Sequence, residues 1–255
     1  MLKRFLPFFF FLFYFSAANA QVNKAKVNKA QASKAQASKA KLHFRSGILL
    51  RNNNQFPEAL AEFTKASELN KKFDSAYVEM ANIYIKGGDQ VNGIVNYKKA
   101  LAVNPNYAQA LIAMGKIYRD VKPNLDSALI YFHAAAKVDS TNKEVFYALA
   151  WTYNARKEYD KAISNAVRSL EIDNKYKPAY GELGHAYRAS KQFAECIEQM
   201  KKNLAVSVVD VAYLYSGYAY TELNNKDAAL QQYEELKKIN EKMAATLKKQ
   251  IDSMQ

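Results

Sequence analysis

Few residues in this chain break or staple a fold. Its 255 positions hold 8 glycines and 5 prolines, well under the ordinary usage of about 7% and 5%. That scarcity excludes a loop-rich, many-turned β fold and a disordered chain. One cysteine, Cys196, excludes a disulfide framework and a cysteine-based zinc site. Three histidines leave little for a metal centre: His43 and His133 have no second ligand at suitable spacing and read as ordinary helix residues. The G-x-S-x-G, H-E-x-x-H, G-x-G-x-x-G and P-loop patterns are missing. No catalytic residue, metal ligand or cofactor is expected, and the chain does not read as an enzyme. Apolar material, by contrast, is ample at 49%, and the formal charge is +13.

The N-terminus has the three-part layout of a secretory signal peptide. Lys3 and Arg4 precede an apolar run from Phe5 to Phe15, and Ala18 and Ala20 form an A-x-A pattern. As a helix that run reaches only about 16 Å, against a hydrocarbon core of about 30 Å, so an address is favoured over a membrane anchor. Cleavage after Ala20 is expected, leaving Gln21 first. No cysteine stands there to carry a lipid. Residues 21–41 follow as a five-residue repeat, QVNKA KVNKA QASKA QASKA K, with Lys24, Lys26, Lys29, Lys34, Lys39, Lys41 and no acid. More than half of the mature charge excess lies in this tail. A five-residue period turns the lysines about 140° at each step around a helix, so they make no single face. The segment reads as a solvated, partly helical linker, with contact to an anionic envelope surface as the alternative.

The remainder is one motif written six times. Small residues recur at Gly47, Ala81, Gly115, Ala150, Gly184 and Gly217, and again at Ala59, Gly93, Ala128, Ala162, Cys196 and Ala229, with steps of 33 to 35 residues. Three residues after the first series stand Leu50, Tyr84, Tyr118, Tyr153, Tyr187 and Tyr220. Small residues let two helices approach closely and large rings fill the gaps a turn away. Breaks rich in Asn, Asp, Gly and Lys separate the two series and the repeats, so each repeat reads as helix–turn–helix. One such hairpin cannot bury both apolar faces, but stacked neighbours can.

Segments such as MANIYIKGGDQVNGIVNYKKALAVNP and LAWTYNARKEYDKAISNAVRSLEID resemble the tetratricopeptide repeat (TPR) family. The resemblance implies an all-α, right-handed superhelical solenoid of about six helix-turn-helix TPR units over 42–243, followed by a C-terminal capping helix over 244–255. Met243, Leu247 and Ile251 give that last helix an apolar stripe. The third repeat is one residue long and the fifth one residue short. Cys196 falls in the register of Ala59 and Ala162, a tight helix contact, and so reads as a buried small residue.

The same resemblance implies that the fifth, ninth and twelfth positions of each repeat line a concave groove. Those positions hold Asn82, Lys116, Arg119, Tyr147, Trp151, Asn154, His185, Arg188 and Tyr218, beside Phe44, Ile48 and Arg51 in the first repeat. The stripe carries four formal positive charges, no acid and the only tryptophan. Asn82 and Asn154 suit the backbone amides of an extended peptide. Tyr147, Trp151 and Tyr218 suit apolar anchoring, and Lys116, Arg119 and Arg188 suit carboxylates, either acidic side chains or a free C-terminus. The dicarboxylate clamp of some family members is absent, because Phe44, Ile48 and Glu79 stand where Lys, Asn and Asn are expected.

The function expected is a non-enzymatic, exported scaffold or adaptor that binds a protein or peptide partner in its groove within a cell-envelope assembly. Its expected location is the periplasm or envelope of a bacterium, with no nucleic-acid partner. A glycan or cell-wall-binding module using the groove aromatics is the alternative.

Overall fold

The computed structural model describes the backbone of residues 6–121 and 123–254, with side chains from Lys24 onward, Ala25 excepted. Residues 1–5 of the expected signal peptide, and the side chains of the rest of it, lie outside the described residues. The described residues form thirteen helices and no strand. Six leading helices are the end of α1 (Leu6–Asn52), α3 (Asp74–Lys86), α5 (Ala108–Asp120), α7 (Lys143–Ala155), α9 (Lys177–Ala189) and α11 (Asp210–Glu222). Their trailing partners are α2 (Phe56–Leu69), α4 (Gln90–Val103), α6 (Leu125–Val138), α8 (Tyr159–Ile172), α10 (Phe193–Val206) and α12 (Lys226–Ile239). The last helix is α13 (Glu241–Asp252). The chain divides into an N-terminal unit up to Pro105 and a C-terminal unit from Asn106. The first holds the hairpins α1–α2 and α3–α4, and the second holds the other four with α13. This is the all-α TPR fold.

The repeat registers acquire physical causes. Between leading and trailing helix, Asn54, Gly88, Lys157, Lys191 and Asn224 all take positive φ, from 55° to 82°, two positions before the trailing helix begins. Such a left-handed residue closes the helix end by letting a later N–H reach back to an orphan carbonyl. The amides of Gln55, Asp89, Glu158, Gln192 and Asn225 donate to the carbonyls of Leu50, Tyr84, Tyr153, Tyr187 and Tyr220 at 2.8–3.0 Å. The third repeat carries Pro123 at that position, and the pyrrolidine ring fixes φ near −65°. Its turn is one residue longer, and the Asn124 amide bonds the Tyr118 carbonyl instead. The extra residue of the third repeat is thereby explained.

Asparagines in the breaks cap the helices that follow. The side chains of Asn124, Asn142, Asn225 and Asn240 accept from the amides of Ser127, Val145, Ala228 and Met243, which satisfies donors with no intrahelical partner. Small-residue positions are close approaches. A Cβ built on Gly115 would stand 2.5 Å from the Phe132 ring, and one on Gly184 would stand 2.2 Å from the Tyr215 ring. Ala59, Ala128, Ala162, Cys196 and Ala229 are fully buried. Burial pushes the Cys196 thiol up to about 12, so it is a packing atom at neutral pH. In α13, Ala244, Leu247 and Ile251 are buried with Leu236 of α12, and Met243 packs beside them.

The lysine-rich segment lies within α1, which runs without a break from Leu6 into the first hairpin. Its six lysines are exposed, and among the described side chains the first buried one is Ala40.

Candidate functional site

On four of the six leading helices the twelfth-position side chain reaches the leading helix of the next repeat, and on α11 it reaches α13. In the N-terminal unit, Arg51 of α1 is hydrogen-bonded to Glu79 of α3. In the C-terminal unit, the Arg119 guanidinium of α5 lies over the Trp151 ring of α7 at 4.9 Å. Asn154 of α7 donates to both Oε2 and the carbonyl of Glu182 on α9, each at 2.9 Å. Arg188 of α9 lies over the Tyr218 ring of α11 at 4.9 Å. At the end of the series, Thr221 of α11 accepts from Gln250 of α13 at 2.9 Å. The twelfth position is thus a joint between repeats as well as a surface position.

These joints decide how much charge the face offers. Arg119 makes a two-point contact with its neighbour Asp120, from Nε at 2.6 Å and Nη2 at 2.7 Å. That carboxylate holds the guanidinium above its ordinary value despite partial burial. Arg119 is 14% exposed, stacked on an indole and already neutralised. Lys116 is exposed and stands 3.9 Å from Glu144, a loose pair of small energetic weight. Arg188 is exposed, and its one described contact is the Tyr218 ring. Of the three C-terminal cations, Arg188 is the one most available to an incoming carboxylate.

Two of the sequence-assigned residues are placed differently from what a free peptide-binding amide requires. Asn82 accepts a hydrogen bond from the Tyr97 hydroxyl at 2.6 Å through its Oδ1. Asn154 is 7% exposed, with its amide nitrogen spent on Glu182 and its Oδ1 without a partner. Both are used inside the fold. Tyr147 is half-buried, edge-on to Tyr176 at 5.8 Å, and burial raises its hydroxyl above the ordinary value. Tyr218 is also half-buried, and its ring packs on the Leu236–Leu247 cluster. Trp151 is partly exposed, and His185 is exposed and edge-on to Tyr159 at 6.4 Å. Trp151, Asn154, Lys157, Tyr159, Glu182 and His185 line a recess of about 460 Å³. In the first repeat, Phe44 and Ile48 pack against the core around Phe63 and Met80.

Sequence reasoning missed Asp120, Tyr159 and Glu182. The fifth, ninth and twelfth positions contain no acid, yet the sixth position brings Glu79 and Glu182 to the same face. The available signal was the acid one position beyond the fifth in the second and fifth repeats. Among the described residues, no group of three or more His, Cys, Asp or Glu side chains is placed to hold a metal ion. No described helix is long and apolar enough to cross a membrane.

Comparison with known proteins agrees with the fold. The profile described as tetratricopeptide repeat matches residues 74–107, 143–176 and 211–243. The photosystem I assembly protein Ycf3 of Prochlorococcus marinus (strain NATL2A) is 33% identical over 106 residues, 38% of this chain and 61% of that protein. The chain thus spans under two thirds of the length of the curated relatives it matches. The structure of YrrB, a TPR protein with an unusual peptide-binding site, superposes with a TM-score of 0.59 at 23% identity, covering 73% of this chain and 97% of that one. PilW, a type IV pilus biogenesis factor, gives 0.58 at 18% identity, covering 82% and 97%. At those identities the two structures speak for the fold alone.

Proposed function

We propose, starting from these tetratricopeptide repeats, that the chain is a non-enzymatic scaffold that binds an extended peptide or protein segment along its leading helices. The observation that carries this reading is the exposed Arg188–Tyr218 stack. It presents an unneutralised guanidinium beside a half-buried ring, a combination suited to a carboxylate on an acidic side chain or a free C-terminus. Lys116 extends the same attraction. YrrB's peptide-binding site and the assembly and biogenesis roles in the names of Ycf3 and PilW are in keeping with a partner-binding role. The glycan alternative is less favoured, because a guanidinium already lies over one face of Trp151 and of Tyr218, which leaves each ring one face for a sugar.

The N-terminal layout adds export to the proposal: a signal peptide removed after Ala20, an envelope or periplasmic location, and exposed lysines of 24–41 free to contact an anionic surface. Two measurements test it. Intact mass of the processed protein should place Gln21 first, and a chain retaining Phe5–Phe15 refutes export. Tryptophan fluorescence, with Trp151 as sole reporter, should respond saturably to envelope protein fractions, and Arg188→Ala should weaken that response. Saturation with cell-wall glycan and not with protein refutes the scaffold reading.

A further inference from the structure

The sixth position of the leading helices is occupied differently in the two units. In the N-terminal unit, Glu79 is met by Arg51, whose Nη1 donates to its Oε2. In the C-terminal unit, the equivalent acid is Glu182, and the residue in Arg51's register is Asn154. Asparagine is shorter and carries no charge. It bonds Glu182 Oε2 and the backbone carbonyl, but supplies no cation, and Glu182 has no ion-pair partner among the described residues. The Arg119 guanidinium feels the Glu182 charge, but its side-chain hydrogen bonds go to Asp120. Glu182 thus holds the register of Glu79 without a guanidinium hydrogen-bonded to it.

The surroundings suit a replacement. The recess of about 460 Å³ beside Glu182 is walled by Trp151, Tyr159 and His185. Asn154, 7% exposed, also lines it and holds an Oδ1 acceptor with no donor, a state that buried polar groups rarely keep. We propose that this recess receives an arginine side chain of the bound partner, its guanidinium taking against Glu182 the place that Arg51 takes against Glu79. This rests on the partner-binding reading above and specifies one residue of the partner. A guanidinium has five N–H donors in one plane, enough for the free Glu182 oxygen and, once a side-chain shift uncovers this buried atom, for Asn154 Oδ1, and its flat faces stack on aromatic rings. A lysine ammonium supplies the charge and donors but no flat face, and a carboxylate supplies neither charge of the right sign nor donors. Lys157 is the single cation on the lining and lies exposed at the turn.

The test uses the full chain and capped heptapeptides Gly-Ser-Ala-X-Ala-Ser-Gly, with X arginine, citrulline or glutamate, read by Trp151 fluorescence. The arginine peptide should saturate, and citrulline, which has the shape without the charge, should bind about tenfold more weakly or worse. Glu182→Gln keeps an acceptor for Asn154 and should weaken the arginine peptide to the same degree with unchanged circular dichroism. Asn154→Arg should rebuild the Arg51–Glu79 pairing within the chain and block the arginine peptide while the fold is retained. Equal binding of arginine and citrulline peptides, or indifference to Glu182→Gln, overturns the proposal. If the glutamate peptide binds through Arg188 while the arginine peptide does not, this proposal fails and the groove reading stands. If neither binds, both fail.

Discussion

Gly181 and Gly184 stand three positions apart on α9, and Gly→Ala should act on them in opposite directions. In a helix interior, replacing glycine by alanine gains about 1 kcal/mol through reduced backbone freedom in the unfolded chain. At Gly181 the new methyl would meet nothing nearer than the Tyr215 hydroxyl at 4.0 Å, so the full gain should appear. At Gly184 it would stand 2.2 Å from Cγ and Cδ1 of the Tyr215 ring, against ordinary van der Waals separations of about 3.5–4.0 Å. The ring is wedged between α9 and the core around Cys196 and Met200, so a shift of more than 1 Å reaches several neighbours. Overpacking of that kind costs about 1–3 kcal/mol, and a displacement this large belongs near the upper end. Net of the helix gain, Gly184→Ala should destabilise by about 2 kcal/mol. The two variants should therefore differ by about 3 kcal/mol. Urea midpoints from far-UV circular dichroism give the comparison. Equal shifts, or a stabilised Gly184→Ala, would refute the argument that helix approach at this register excludes a side chain.

Lys191 takes φ of 59° at a helix end, so Lys191→Gly should stabilise by about 1 kcal/mol, and an unchanged melting temperature would count against a strained turn. Cys196 should resist iodoacetamide at pH 8 in the folded protein and react promptly in urea, since burial places its thiol at about 12; fast native labelling would show an exposed thiol. Burial alone would raise the Asp210 carboxyl, but hydrogen bonds from Asn240 and Lys177 outweigh it and hold the group below its ordinary value. A depressed folded-state pKa adds stability above the unfolded value near 3.9, and that stability is lost as pH falls through the folded value. Asp210→Asn should accordingly flatten the acid limb of the stability profile below about pH 4 and lower stability at pH 7. An unaltered acid limb would remove Asp210 from the account.

Helix order, hairpin spacing and the small-residue contacts were legible in the sequence because they depend on local pattern repeated six times. The registers of Gly47 to Gly217 and Ala59 to Ala229 predict where helices touch, and those contacts are present. The turn position shared by Asn54, Lys157, Lys191 and Asn224 was hidden, because lysine and asparagine do not advertise a left-handed conformation as glycine does. The continuity of α1 through 21–41 was less legible, since that segment buries almost nothing and only the intrinsic preference of its alanines, lysines and glutamines favours helix. The face was the hardest part. Its stripe positions were identified from the family resemblance, but whether Arg119 or Asn154 is free depends on side chains from another helix or the next position. Asp120 and Glu182 alter the charge of the face without occupying any of the three positions that define it.

The twelfth-position joints have a consequence for how the chain tolerates change. Successive hairpins are so alike in length and core that one could mistake another for its neighbour, during folding or after a gene loses or duplicates a repeat. The joints differ: guanidinium to carboxylate at Arg51–Glu79, guanidinium to indole at Arg119–Trp151, amide to carboxylate at Asn154–Glu182, guanidinium to phenol at Arg188–Tyr218, and hydroxyl to amide at Thr221–Gln250. Five of the six hairpins therefore carry a key that fits the helix packed after them, and removing one of these intact repeats would leave a well-packed stack whose keys no longer match. The order of these repeats is written in their twelfth-position side chains.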